Sequence, residues 1–234
     1  MAGVSESLRA SLREQLERLR GDALPLPDAL LDVALVRVAV GGGELLLAQP
    51  TDWQALREEE ALARRPVPYW GIVWPSGHAL AGAVAGTDLA GRRVLELGCG
   101  LGLPSVAAAR AGAEVLATDG ASDAVVFCAH NLALNELLGE VAEVPWHDPA
   151  PLVGAGPFDL VLAADVLYTR RNVELLLTLL PRLVAPGGEV WLADPERAGG
   201  RELLAGARRQ WTIDSRPDPE CEGVRLHRLA RRLG

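Results

Sequence analysis

The stretch that most restricts what this chain can fold into begins at residue 92. Val94-Leu95-Glu96-Leu97 is an apolar run of strand length, Gly98-Cys99-Gly100-Leu101-Gly102 sets three glycines at alternate positions, and an alanine-rich segment of helical character follows. From there strand-like and helix-like segments alternate, the pattern of a parallel sheet covered on both faces. The patterning predicts strands at 93–97, 114–118, 141–145, 158–164 and 188–193, with helices near 102–111, 122–138, 171–184 and 197–209. Trp211 to Arg216 and Gly223 to Arg231 then read as two closing strands joined by Pro217-Asp218-Pro219, which makes seven strands in all.

Ahead of this core the pattern differs. Leu8, Leu12, Leu16 and Leu19 recur at helical spacing, predicting an amphipathic helix over 5–20 that ends near Gly21. Runs at 32–40 and 44–48 flank Gly41-Gly42-Gly43 as a hairpin, and a second helix over 52–64 stops before Pro66-Val67-Pro68. We therefore divide the chain into an N-terminal helix-and-hairpin extension, 1–65, and a core domain, 66–234.

Composition narrows the function classes. The net charge of −8 sets a repulsive field against a phosphate backbone, so no nucleic-acid partner is expected. All 23 basic residues are arginine, which reads as coding bias. Cys99, Cys128 and Cys221 are odd in number and widely spaced, without a disulfide or metal-ligand pattern, and read as reduced thiols; no metal is expected. With no apolar run of membrane-spanning length and no signal-peptide core, the expectation is a soluble, cytoplasmic protein with no membrane partner. Neither composition nor motif sets an oligomeric state.

The glycine loop admits two ligand readings. A dinucleotide fingerprint would need its third glycine at 103, where Leu103 stands, and Glu96 at the strand end would repel a pyrophosphate. A carboxylate there suits a cation instead, and S-adenosyl-L-methionine carries both a sulfonium and an ammonium. A purely structural glycine turn is the plain competitor. Asp119, about twenty residues beyond the glycines and closing the second strand, is placed to accept from both ribose hydroxyls. Its competing role is a helix cap, for which Ser122 and Asp123 are also available. Trp146, after the third strand, offers adenine a flat wall or is a core aromatic, while His147 reads as a surface loop residue.

The fourth strand ends in Asp165-Val166-Leu167-Tyr168, beside the position a transferable methyl group would take. A carboxylate can orient an amine nucleophile there and a phenol can shape the pocket; a cap on the next helix and a packed ring are the alternatives. The Asn-Pro-Pro-Tyr pattern suited to planar base amines is absent. Pro68-Tyr69-Trp70-Gly71-Ile72-Val73-Trp74-Pro75-Ser76-Gly77-His78 is dense in aromatics and could wall the pocket or plug the core; His78 is left unassigned.

Taken together, residues 69–80, the glycine loop, Asp119, Trp146 and Asp165-Val166-Leu167-Tyr168 resemble the seven-β-strand protein-lysine methyltransferases, in particular the branch acting on the electron-transfer-flavoprotein β-subunit. The resemblance covers about 66–200. It implies a Rossmann-like sheet with one antiparallel strand near its end and S-adenosyl-L-methionine as methyl donor. Carried over by position, Trp74, Gly98, Cys99, Gly100, Asp119, Trp146 and Ala164 would touch the cofactor, with Glu96 and Gly102 completing the loop read above. Asp165 and Tyr168 match the family's Asp-x-x-Tyr motif beside the acceptor, and Asp194-Pro195-Glu196-Arg197 would face the same side. The expected reaction is N-methylation of lysine on a protein substrate. A small-molecule amine or heterocycle acceptor, as in nicotinamide-type methyltransferases, and a non-catalytic cofactor-binding module are the alternatives.

Overall fold

Seven strands form one sheet, as the alternation predicts. The computed structural model describes residues 6–20 and 26–232. In chain order come α1 (Glu6–Arg20), α2 (Asp28–Leu31), the hairpin strands β1 (Val33–Val40) and β2 (Gly43–Pro50), α3 (Trp53–Leu62), a 3₁₀ turn (Tyr69–Gly71) and α4 (Pro75–Ala85). The core continues with β3 (Arg93–Leu97), α5 (Leu103–Arg110), β4 (Glu114–Asp119), α6 (Ser122–Leu134), β5 (Glu140–Glu143), α7 (Ala150–Ala155) and β6 (Phe158–Ala164). It closes with α8 (Arg170–Leu183), β7 (Val184–Asp194), α9 (Ala198–Ala207), β8 (Trp211–Pro217) and β9 (Arg225–Arg231).

The sheet order is β5-β4-β3-β6-β7-β9-β8, with β3 to β7 parallel and β9 antiparallel to both neighbours. The expected single antiparallel strand is therefore β9. Burial alternates along each central strand: Leu160, Leu162 and Ala193 face the layer of α4 and α5, while Val161, Ala163 and Leu192 face α8 and α9. Strands covered on both sides must be apolar on both, which is why they read as continuous hydrophobic runs. Reversal of strand order between β3 and β6 opens a crevice at their carboxyl ends, the place where open α/β sheets hold ligands.

The N-terminal elements dock on the helical layer. Gly41 and Gly42, at φ +57° and +80°, make the two-residue turn of the hairpin, so β2 starts at Gly43, one residue earlier than predicted. Val38, Val40, Leu45 and Leu47 join the cluster of α4 and α5, and Leu12 and Leu16 of α1 pack with Val126 and Phe127 of α6. Leu19, predicted on the same stripe, is exposed, and the helix end expected at Gly21 lies outside the described residues. Asn131 on α6 and Asn135 at its C-terminal cap bind the backbone of β2: Oδ1 of each accepts from Ala48 N (2.7 Å) and Leu46 N (2.9 Å) respectively, and their amides donate to the same residues' carbonyls.

Other differences are local. α4 begins at Pro75, whose fixed φ and missing N–H suit a first helical position. Two short helices, α2 and α7, escape the reading because four and six residues carry too little periodicity. β7 begins at Val184 rather than 188, paired there only with Phe158 across a register shift.

Candidate active site

A cavity of about 610 Å³ lies at the carboxyl ends of β3, β4 and β6, a size suited to a small-molecule or cofactor ligand. Its floor is the turn after β3. Gly98 N and Cys99 N both donate to Thr118 O at 2.8 and 2.9 Å, and Gly102 N donates to Cys99 O at 2.7 Å. Gly98, Gly100 and Gly102 all have positive φ. At Gly102 there is also no room: a β-carbon would stand 2.4 Å from Cys128 Sγ. At Gly100 it would stand 3.2 Å from Trp70 O, so the 3₁₀ turn covers this end of the loop. The loop's glycines thus serve both backbone direction and tight packing.

Asp119 ends β4 and fastens the turn, its Oδ2 accepting from Gly100 N and its Oδ1 from Ala121 N, each at 2.9 Å. It is not the side-chain cap of α6, which has none. Burial pushes the Asp119 carboxyl above its ordinary value, opposed by those two N–H groups. Each oxygen keeps a lone pair for a further donor from the cavity.

Glu96 is buried on β3 and accepts a hydrogen bond from Ser105 Oγ of α5. Desolvation pushes its carboxyl up to about 8, so near neutral pH it is held largely neutral until a cation draws out its charge. By sequence Glu96 is a fixed anion; burial makes it a conditional one. Ser105 escaped that reading, although a lone hydroxyl in an alanine-rich helix is the kind of signal that finds such partners. The Cys99 thiol contacts Cys128, and that contact together with burial pushes it well above the usual thiol range, so it stays protonated.

The aromatic segment divides its labour. Tyr69, Trp70 and Trp74 all line the cavity, and Trp70 also packs against Phe127 in a tilted pair with ring centroids 5.1 Å apart. Trp74 Nε1 donates to Tyr69 O (2.8 Å), and Trp53 packs edge-on against Trp74. Wall and plug, posed as alternatives, are both present. Trp146 is half-buried, lines the cavity and packs against the α8-side core; His147 is exposed at the rim. Ala164 lines the cavity, and His78 is on α4 outside the cavity lining.

Asp165 lies just past β6 at φ +55°, in the left-handed region that costs a non-glycine residue about 1 kcal/mol. Its N–H donates to Ala193 O (3.0 Å) and its carboxylate accepts from Arg197 Nε at 2.8 Å. Thr169 is the cap of α8, accepting from Asn172 N, so Asp165 is free of that role. Tyr168 is 56% exposed and faces Tyr69, itself 49% exposed, with centroids 5.9 Å apart at the cavity mouth. The two rings come from segments almost a hundred residues apart in the chain. Among the described residues of the first 65, only Glu60 and Arg65 reach the cavity. Among the described residues no group of three His, Cys, Asp or Glu side chains could hold a metal ion, and no helix is long and apolar enough to cross a membrane.

Comparison with known proteins places this arrangement. A histone-arginine methyltransferase of Xenopus laevis is 34% identical over 133 residues, covering 53% of this chain and 56% of the relative. The electron transfer flavoprotein beta subunit lysine methyltransferase of the same organism is 36% identical over 136 residues, covering 56% and 54%. The chain thus spans about half the length of these curated relatives. A T. Thermophilus 16S rRNA N2 methyltransferase, solved in complex with AdoMet and guanosine, superposes with a TM-score of 0.67 over 91% of this chain and 53% of its own, at 19% identity, a likeness of fold. The model of the lysine methyltransferase family matches residues 70–202, from the aromatic turn through the first turns of α9, and the chain belongs to that family.

Proposed function

We propose that the chain is an S-adenosyl-L-methionine-dependent methyltransferase that methylates the side-chain amine of lysine in a protein substrate. The observation that carries this reading is an open mouth: Asp165 lines a cavity whose entrance is framed by two exposed tyrosine rings rather than closed by α1 or the hairpin. A long side chain presented by another protein fits that entrance, whereas a small amine would favour an enclosed site.

The residues fit the cofactor by their chemistry. Asp119 offers acceptors to ribose hydroxyls, Trp146 a flat wall for adenine, and Gly98, Cys99, Gly100 and Gly102 a backbone surface, with Trp74 and Ala164 bounding the methyl side. Glu96 suits the cationic amino-acid end. When bound, the cofactor supplies a methyl group activated on a sulfonium. Asp165 orients the acceptor nitrogen and Tyr168 with Tyr69 flanks its alkyl stem. In this reading residues 66–234 carry the site and 1–65 form an extension. Three free thiols support a reducing, cytoplasmic setting.

The direct test is incubation with isotopically labelled methyl donor and a cell lysate, followed by protein hydrolysis. Label is expected in methylated lysine. The chain has no lysine of its own, so its own band cannot contribute that signal. Label in methylarginine or in a small-molecule fraction would replace the lysine reading.

Glu96 gives a second expectation. Its folded value near 8 leaves it mostly protonated at pH 7, and a cation beside it favours the charged form. Cofactor binding should therefore release close to one proton at pH 7 and almost none well above 8. Calorimetry in two buffers of different ionisation enthalpy measures this directly. Glu96→Gln should abolish the buffer dependence, and a wild-type binding heat identical in both buffers would remove Glu96 from the cation's side.

A further inference from the structure

The mouth of the cavity holds an ion pair that the transfer reaction does not obviously want. An amine attacks only through its lone pair, so a lysine must give up its ammonium proton first. An isolated carboxylate beside it would do the opposite, stabilising the ammonium form. Here Asp165 is not isolated. Its side chain, 8% exposed, is bound through the carboxylate by Arg197 Nε at 2.8 Å, and the Arg197 side chain is itself 42% exposed.

Arg197 is not placed there by chance of a floppy surface chain. Its backbone N–H donates to Asp194 Oδ2 at 2.9 Å. Asp194 is buried beneath Gly200, where a β-carbon would come within 2.4 Å of that oxygen, so only glycine lets the start of α9 settle on it. The preceding Glu196 is at φ +56°, its carboxylate beside Arg225 at 3.8 Å and its carbonyl accepting from Arg201. The turn that delivers Arg197 to Asp165 is thus fixed at its backbone.

We infer that Arg197 is a positioning residue that cancels the charge of Asp165, so that the carboxylate aligns the acceptor nitrogen without holding its proton. This rests on the reading of Asp165 as the acceptor-side residue. The charged and titratable groups around Asp165 are Asp194 and Glu196 from the β7–α9 connection, Tyr69 from the 3₁₀ turn, Tyr168 from its own loop and Arg171 from α8. Glu96 and Asp119 line the same cavity. With Arg197 present, the Asp165 pair is neutral and the desolvated cavity favours the uncharged amine. The amine's proton leaves through the open mouth to water before attack. The nitrogen lone pair then forms the N–C bond as the methyl's bond to sulfur breaks and its electron pair stays on sulfur. The product ammonium sheds its proton to water.

The sign of the effect follows. Removing Arg197 leaves a bare carboxylate, the ammonium is held more tightly, and more alkaline solution is needed to free the amine. With the lysate protein pool as acceptor and labelled methyl donor, Arg197→Met should lower kcat about tenfold at neutral pH and recover to within about threefold near pH 9.5. Its apparent KM should fall or stay level. Arg197→Lys, which keeps the cation, should stay within about threefold of wild type throughout. The Asp194 bond uses the backbone N–H of Arg197 and survives both changes; unchanged melting and cofactor affinity verify that the variants fold. A loss in Arg197→Met that is equal at all pH values, a raised KM or no loss at all would overturn the inference. Asp165→Asn separates it from the reading beneath: full activity in that variant, or no protein labelled by wild type, would remove Asp165 from the acceptor side altogether.

Discussion

Asp119→Ala is expected to weaken S-adenosyl-L-methionine binding by at least about a hundredfold, since hydrogen bonds to a charged group contribute roughly 1.5–3 kcal/mol each and two ribose hydroxyls lose their acceptor. A second loss adds to the first. Asp119 also pins Gly100 N and Ala121 N, each at 2.9 Å, and its removal leaves both N–H groups at the cavity floor without that partner. Gly100 cannot simply settle elsewhere, because Trp70 lies directly over it. Asp119→Asn distinguishes the two contributions. It keeps one acceptor oxygen but turns an amide N–H₂ toward one of the two donors, so one pinning bond becomes a repulsion. An affinity between those of wild type and the alanine variant is expected. Titration calorimetry measures both, and an alanine variant that binds as tightly as wild type would end the ribose assignment.

The parts of this molecule that could be read from the chain are those set by short spacing. The continuous apolar runs of β3, β4 and β6, the glycines after β3 and an acid closing β4 depend only on neighbours in sequence, and the carboxyl ends of these strands meet at the crevice where strand order reverses. What escaped depends on distance in the chain. Trp70 and Trp74 sit in one aromatic run and both line the cavity, yet only Trp70 also packs on Phe127 of α6; the 3₁₀ turn between Tyr69 and Gly71 redirects the chain, and no periodicity announces it. Glu96 is an acid by sequence but a largely neutral group by burial, a property of the layers packed on β3. The Asp165–Arg197 pair spans 32 residues: the motif located the acid and the resemblance placed Arg197 on the same side, but only the fold brings them into contact. Leu19 keeps its helical spacing and is still exposed, which spacing alone does not reveal.

Asn131 is the clearest case, and the one where a single substitution should cost the most stability. It sits in an apolar stretch of α6, where it reads as an ordinary helical residue, yet it is fully buried and makes three bonds to backbone 30 and 83 residues away. Its Oδ1 accepts from Ala48 N at 2.7 Å, and its amide donates to Ala48 O (3.2 Å) and to Leu101 O (2.8 Å). One side chain therefore ties the hairpin to the loop that floors the cavity. Asn131→Leu keeps the branched shape in a bulkier side chain but leaves three backbone groups unpaired inside the protein, at about 1–3 kcal/mol each, for a total loss of roughly 3–9 kcal/mol. For a chain of this size that lowers the melting temperature by on the order of 10 °C. The neighbouring Asn135 supplies the contrast, because it holds β2 through Leu46 alone and makes no bond to the loop. Asn135→Leu should lower stability while leaving cofactor affinity unchanged, whereas Asn131→Leu should lower both, since the Leu101 carbonyl is freed only in the second. Denaturant melts paired with cofactor titrations separate these outcomes. Equal affinity in the two variants would mean that the hairpin and the glycine loop are joined in space without being coupled in energy.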